Sequence, residues 1–241
     1  MKIKNLIISL FSVLVVISFN ACDFIAEKNV KPVSEISTFP IFVFNGGQTM
    51  VHILGTPWTD PGVLVSEIKE GDNELAGTLV VDDSEMDVNT RGLYTIKYTA
   101  TNSYGYSLTA NRYVLVTSDV SNLYDISGTY YQGFSPNPDG SNLMTITQNE
   151  IKGFWDVSNI IDLSKPTSGY IADFGNLNYG VALTSYKRKI SNLRYTYLSG
   201  TAEYDNSGSP EKIVFNLTEV YDDGTPIGIE KHYTWNKLEN K

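Results

Sequence analysis

Tyr94-Thr95-Ile96-Lys97-Tyr98-Thr99-Ala100 decides the fold class of this chain. Apolar or aromatic residues alternate with polar ones at period two, the signature of a strand with one face buried. Working outward, the same grammar continues on both sides. Pro40-Ile41-Phe42-Val43-Phe44 is a short apolar run closed by Asn45-Gly46-Gly47. Met50-Val51-His52-Ile53-Leu54 follows and stops at Gly55-Thr56-Pro57. Thr59-Asp60-Pro61-Gly62-Val63 turns into another short run, and Leu79-Val80-Val81 ends at Asp82-Asp83. Downstream, Asn102-Ser103-Tyr104-Gly105-Tyr106 makes a turn, and Tyr113-Val114-Leu115-Val116 closes the series. Glycine and proline punctuate each step, and no 3.6-residue periodicity intervenes. Short strands at this spacing predict an antiparallel β-sandwich over residues 39–117.

This stretch resembles the immunoglobulin-like domains of bacterial surface proteins. Trp58-Thr59-Asp60-Pro61-Gly62-Val63 is similar to their "YxDPGV" step. Thr90-Arg91-Gly92-Leu93-Tyr94 and its continuation to Gly105 are similar to their "T.GtYtvtYtatDsaGN" segment, and Arg112-Tyr113-Val114-Leu115-Val116 to their closing "RtVtV" strand. The resemblance implies a cell-surface lipoprotein of the Bacteroidetes type. It departs from the pattern at Asn102, where Asp is usual, and at Tyr106, where Asn is usual, so neither a metal nor a cap role is expected at that turn.

Residues 118–127 form a polar joint, and from Gly128 a second β pattern begins. Runs at 129–134, 143–148, 152–157, 170–174, 180–185, 195–204, 212–220 and 230–237 are separated by turn signals such as Pro136-Asn137-Pro138-Asp139-Gly140 and Asp205-Asn206-Ser207-Gly208. An all-β second domain over 128–241 is expected, either a second sandwich or a small barrel. It is similar in position to the C-terminal β-domain that follows the immunoglobulin-like module in such lipoproteins.

The N-terminus reads as a processing segment. Lys2 and Lys4 precede an apolar run from Leu6 to Phe19, then Asn20, Ala21 and Cys22. The run is shorter than the about 20 residues that span a bilayer, and the layout is that of a secretory signal. Cys22 is the only cysteine, and Phe19-Asn20-Ala21-Cys22 resembles a lipoprotein cleavage site. The expectation is a signal peptide over 1–21, acylation of Cys22, and a tether over 22–38. The implied location is the outer membrane, facing the cell surface, with the periplasmic face as the alternative.

Composition narrows the function classes. The net charge is −9, and removing Lys2 and Lys4 with the leader takes it to −11. An acidic surface of this kind repels phosphate backbones, so nucleic-acid binding is not expected. With no second cysteine there is no disulfide, and stability must come from burying apolar surface.

Catalytic signatures are thin. The two histidines, His52 and His232, lie in separate strands without metal spacing, and no phosphate loop or Gly-x-Ser-x-Gly elbow occurs. Asp82-Asp83 and Asp222-Asp223 read as solvated turn acids, since neighbouring strand residues point to opposite faces. Gly71-Asp72-Asn73-Glu74 is too short for an EF-hand. A hydrolase would need two carboxylates converging within about 5–10 Å. No enzymatic activity, cofactor or metal is expected.

Aromatic residues are the positive clue. Tyrosine and tryptophan can stack on sugar C–H faces while one edge stays wet. In the second domain Trp155, Tyr170, Tyr179, Tyr186 and Trp235 are the candidate glycan contacts, although strands also favour aromatics for packing. The leading expectation is non-catalytic binding of an extracellular polysaccharide or oligosaccharide. The alternative is a structural or protein-binding component of an envelope complex. A concave aromatic platform would favour the first, and a flat apolar patch or open sheet edge the second.

Overall fold

The alternation around Tyr98 is a strand, with Ile96, Tyr98 and Ala100 buried on one face and Lys97 and Thr99 toward solvent on the other. A computed structural model describes residues 39–67, 77–160, 168–184, 188–191, 194–221 and 226–239. Within Pro40–Thr117 lie six strands: β1 (Pro40–Phe44), β2 (Thr49–Ile53), β3 (Val63–Glu67), β4 (Thr78–Asp82), β5 (Gly92–Thr101) and β6 (Ser107–Thr117). β1 and β3 pair antiparallel as one sheet, and the other runs β2-β6-β5-β4. The pairing of β2 with β6 is parallel, a departure from the expected all-antiparallel sandwich. The Gly46-Gly47 step explains it. Both glycines have positive φ (76° and 95°), a conformation other residues resist, and they carry the chain from one sheet to the other instead of folding it into a hairpin.

Ile96, Tyr98, Val114 and Val116 fill the sandwich with Phe42, Phe44, Trp58 and Val63. Arg112 is fully buried among them. Its guanidinium pairs with the Asp60 carboxylate and donates to the carbonyls of Asn45 (2.9 Å) and Gly62 (2.8 Å). It lies between the Phe44 and Tyr98 rings, 5.4 and 5.5 Å from their centroids. The Tyr98 hydroxyl donates to the same Asp60 carboxylate at 2.7 Å. Burying a charge is tolerated when it is paired and hydrogen-bonded; here both terminal nitrogens of the guanidinium are used, while Nε is buried without a partner. Asp60-Pro61-Gly62, Tyr98 and Arg112, read as separate motif residues in the sequence, are thus one network joining the two sheets. At the β5–β6 turn, Asn102 accepts from the amides of Tyr104 (3.0 Å) and Tyr106 (2.8 Å). This corrects the expectation of no cap role there: the asparagine carbonyl oxygen serves as well as a carboxylate oxygen.

From Gly128 the chain forms β7 (Gly128–Tyr131), β8 (Leu143–Gln148), β9 (Phe154–Ser158), β10 (Ser168–Gly175), β11 (Asn178–Leu183), β12 (Arg188–Ser191), β13 (Arg194–Asp205), β14 (Lys212–Tyr221) and β15 (Pro226–Lys237). β7 to β11 and β13 to β15 pair in sequence, antiparallel throughout. β15 returns to β7 through Asn236 opposite Tyr131, and β11 joins β13 from Asn178–Glu203 to Ala182–Ser199. The sheet therefore closes as an eight-stranded up-and-down barrel, with β12 forming a hairpin on the far half of β13. Closure removes the edges that an open sheet would leave.

The two halves meet on a shared strand. On β6, Val114 and Val116 face the sandwich interior, while Tyr113 and Leu115 face the outside of the barrel. There they pack with Val51 and Leu93 against Phe154, Tyr170, Ala172, Phe174 and Ala182 of β9, β10 and β11. Close approach requires missing side chains. A Cβ at Gly153 would sit 2.9 Å from Leu115, and one at Gly180 2.9 Å from Leu93. Arg91 donates across the junction to the Phe174 carbonyl (2.5 Å) and to the Ser118 hydroxyl (2.8 Å). The joint at 118–127 is also anchored, with Val120 in this interface and Leu123 and Ile126 in the barrel core. Phe39–Lys241 forms one compact unit.

Candidate functional site

Strand alternation decides where the predicted aromatic contacts lie. On β9, Trp155 and Val157 point into the barrel and Phe154 points out toward the immunoglobulin-like sheet. Tyr179 on β11 and Trp235 on β15 also point inward. Trp155, Tyr179 and Trp235 are each only 1% exposed. The Trp155 and Tyr179 rings meet edge to face, with centroids 5.7 Å apart at 84°. These three residues are the barrel's core, together with Met144, Ile171, Phe215 and Leu217. As surface glycan contacts they are corrected: closing the barrel turns every second strand residue inward, and the largest apolar rings fill that space.

Tyr170 is half-buried on the outside, packed on Tyr113 (5.3 Å between centroids) and Phe154 (6.3 Å). It is a junction residue, and burial raises its phenol pKa. Tyr186 and Cys22 lie outside the described residues, as do Asp222-Asp223 and Gly71-Asp72-Asn73-Glu74. The histidines have local partners. His52 Nε2 is 2.9 Å from the Thr56 carbonyl oxygen, and its ring meets Trp58 edge to face. His232 Nδ1 is 2.6 Å from Asn216 Oδ1. Asp82 is exposed and accepts from the Ser84 hydroxyl (2.6 Å) and amide (3.2 Å), which hold its carboxyl below the ordinary value.

Two surfaces among the described residues carry recognisable chemistry. The first is an open cavity of about 440 Å³ at the barrel end where the joint enters, lined by Gly208, Ser209, Glu211, Lys237, Leu238 and Glu239. Glu211 organises its inner wall. Its carboxylate accepts from the Tyr204 hydroxyl (2.5 Å) and the Tyr124 hydroxyl (2.8 Å) and pairs with Lys237 at 3.2 Å. The Tyr204 bond is the largest influence holding the Glu211 pKa below its usual range, followed by the Tyr124 bond. Burial, then the Glu211 contact, push the Tyr204 phenol far above the ordinary tyrosine value. A saturated, acidic carboxylate beside a reluctant phenol is poorly matched to proton transfer near neutral pH. The cluster offers hydrogen-bonding groups and the tilted Tyr124–Tyr204 ring pair, 5.3 Å apart.

Glu211 also gives a pH test. A carboxyl whose folded pKa is depressed adds stability that is complete above its unfolded value, about 4.3, and is lost as pH falls through the lower folded value. Glu211→Gln is therefore expected to melt below the wild type at pH 7. The gap should narrow once the pH is taken below the folded value. Thermal melts across that range check it, and an unchanged gap would remove Glu211 from the acid dependence.

The second surface is the free side of β4. Among the described residues β4 pairs only with β5 and ends its sheet. Leu79 is 40% exposed, Val80 60% and Val81 44%. Three consecutive apolar residues are an unusual exposure for a strand whose second side has no partner among the described residues. Sequence reading marked this run only as a strand. Its position at the edge follows from pairing order, which a single sequence does not display.

An immunoglobulin-like sandwich docked on an eight-stranded barrel is thus the class of protein that the fold defines. Residues 42–116 match the family model described as bacterial surface protein, Ig-like domain. That match spans the sandwich and stops at its last strand. Among solved structures, the chain is similar to the lipoprotein BT2262 from Bacteroides thetaiotaomicron, at 18% identity and a TM-score of 0.27, covering 83% of this chain and 100% of that one. No curated protein matches the chain.

Proposed function

We propose that this protein is a non-catalytic component of the cell envelope that binds another protein through the open edge of its immunoglobulin-like module. One observation carries the reading. The tryptophans and Tyr179 of the barrel are consumed by its core, whereas Leu79, Val80 and Val81 stand in solvent on an edge strand. An open edge offers main-chain hydrogen bonds to an extended segment, and its side chains add apolar contact. The match of residues 42–116 to a surface-protein domain supports an envelope setting. Cys22 would supply the tether, since acyl chains rather than charge must hold so acidic a protein to a membrane. A photo-crosslinker placed at position 80 in the native envelope is expected to give a discrete adduct, abolished by Val81→Lys. Labelling no stronger than from an exposed turn position such as Ser207 would sink the reading.

A second reading retains oligosaccharide binding but moves it to the cavity beside Glu211. Its support is the hydrogen-bonding lining of Ser209, Glu211, Lys237 and Glu239, with the exposed Tyr124 ring held next to it by its bond to Glu211. Affinity gel electrophoresis against plant, host and microbial polysaccharides tests it. Retardation that disappears with Tyr124→Ala is the expected result, and equal mobility on every gel would end it.

A further inference from the structure

We infer that the occupant of the β4 edge is a second copy of this chain, paired antiparallel with β4 about a two-fold axis at Val80. The inference deepens the protein-binding reading above and rests on it.

The argument is one of register. Leu79 and Val81 lie opposite Ala100 and Tyr98 of β5 and so belong to the inner face of the sheet. Val80 lies opposite Thr99 and belongs to the outer face. When two copies meet edge to edge about an axis perpendicular to the sheet, their inner faces stay on the same side. Opposed residues must then have the same parity. Only the register centred on Val80 satisfies this and also pairs all five residues of β4. It sets Val80 against Val80, Leu79 against Val81, and Thr78 against Asp82.

Each of those pairs is compatible. Two apolar pairs flank an apolar centre, and cross-strand neighbours of this kind stabilise a ladder. The charged residue meets a threonine rather than its own copy, so no like charges face each other. An isologous contact needs such self-complementarity, and it closes at two copies. The edge also lacks the usual guards. Thr78–Asp82 contains neither lysine nor proline. The net charge of −9 on each chain opposes association at low ionic strength. The dimer should therefore tighten as salt is raised, because screening relieves repulsion without weakening apolar contact.

The test uses the full chain with Cys22→Ser, which leaves no native thiol. Sedimentation equilibrium is expected to show a monomer–dimer equilibrium that shifts toward dimer with salt. Val80→Lys should weaken it by about tenfold or more, since it opposes two ammonium groups at the axis. Val80 is well exposed, so the variant should melt as the parent does. Val80→Cys should oxidise to a covalent dimer about tenfold faster than Val43→Cys, because only the former brings two Cβ atoms within disulfide range. A chain that stays monomeric at millimolar concentration, with both cysteine variants equally slow, would overturn the inference. If that monomer nonetheless cross-links from position 80 to a different envelope protein, self-pairing fails and the broader protein-binding reading stands. If neither product forms, both fall.

Discussion

Arg112→Ala should lower the stability of the folded chain by about 3–5 kcal/mol, the range for breaking a buried ion pair from one side. The substitution leaves the Asp60 carboxylate and the Asn45 and Gly62 carbonyls without their donor, and it opens space between the Phe44 and Tyr98 rings. Asp60→Ala should cost a similar amount, because it strands a cation that has no exposure at all. Arg112→Met combined with Asp60→Leu should recover part of the loss, since neither charge is then left unpaired. Urea unfolding of the three variants checks the set. A single Arg112 variant within about 1 kcal/mol of the wild type would show that the network does not hold the two sheets together.

Trp155→Ala is expected to act on stability rather than on ligand binding. The ring is enclosed by the barrel and rests on Tyr179, so its removal leaves a cavity costing about 3–5 kcal/mol. Thermal melting and near-ultraviolet circular dichroism should both show the loss. Any fall in polysaccharide retention should follow the unfolded fraction. A variant that melts like the wild type but loses retention would restore Trp155 to a binding site and overturn its placement in the core.

Most of the fold was legible because strands announce themselves locally. Leu143–Gln148 was readable to the residue, and each of the other seven candidate runs in the second half became a strand with shifted ends. Arg188–Ser191 was missed, because two cations and a single apolar residue, Ile190, in four positions show no alternation. What could not be read was pairing. Whether the second half closes depends on Asn178–Ala182 meeting Ser199–Glu203, and nothing within either segment names the other.

That same gap misled the site. Period-two alternation separates Phe154 from Trp155 without saying which face becomes an interior. Both proved buried, one against the neighbouring module and one inside the barrel. The DPGV step showed a related limit. Its turn was recognised, but its partner, Arg112, lies 52 residues away.

Strand β6 has a mechanical consequence. Because its alternate side chains belong to two different interiors, the sandwich cannot swivel on the barrel without pulling Tyr113 and Leu115 out of their packing. The joint is a weld and not a hinge. Whatever grips the rim of the first module therefore sets the bearing of the second, and a pull applied at one end is felt at the other as rotation of the whole body.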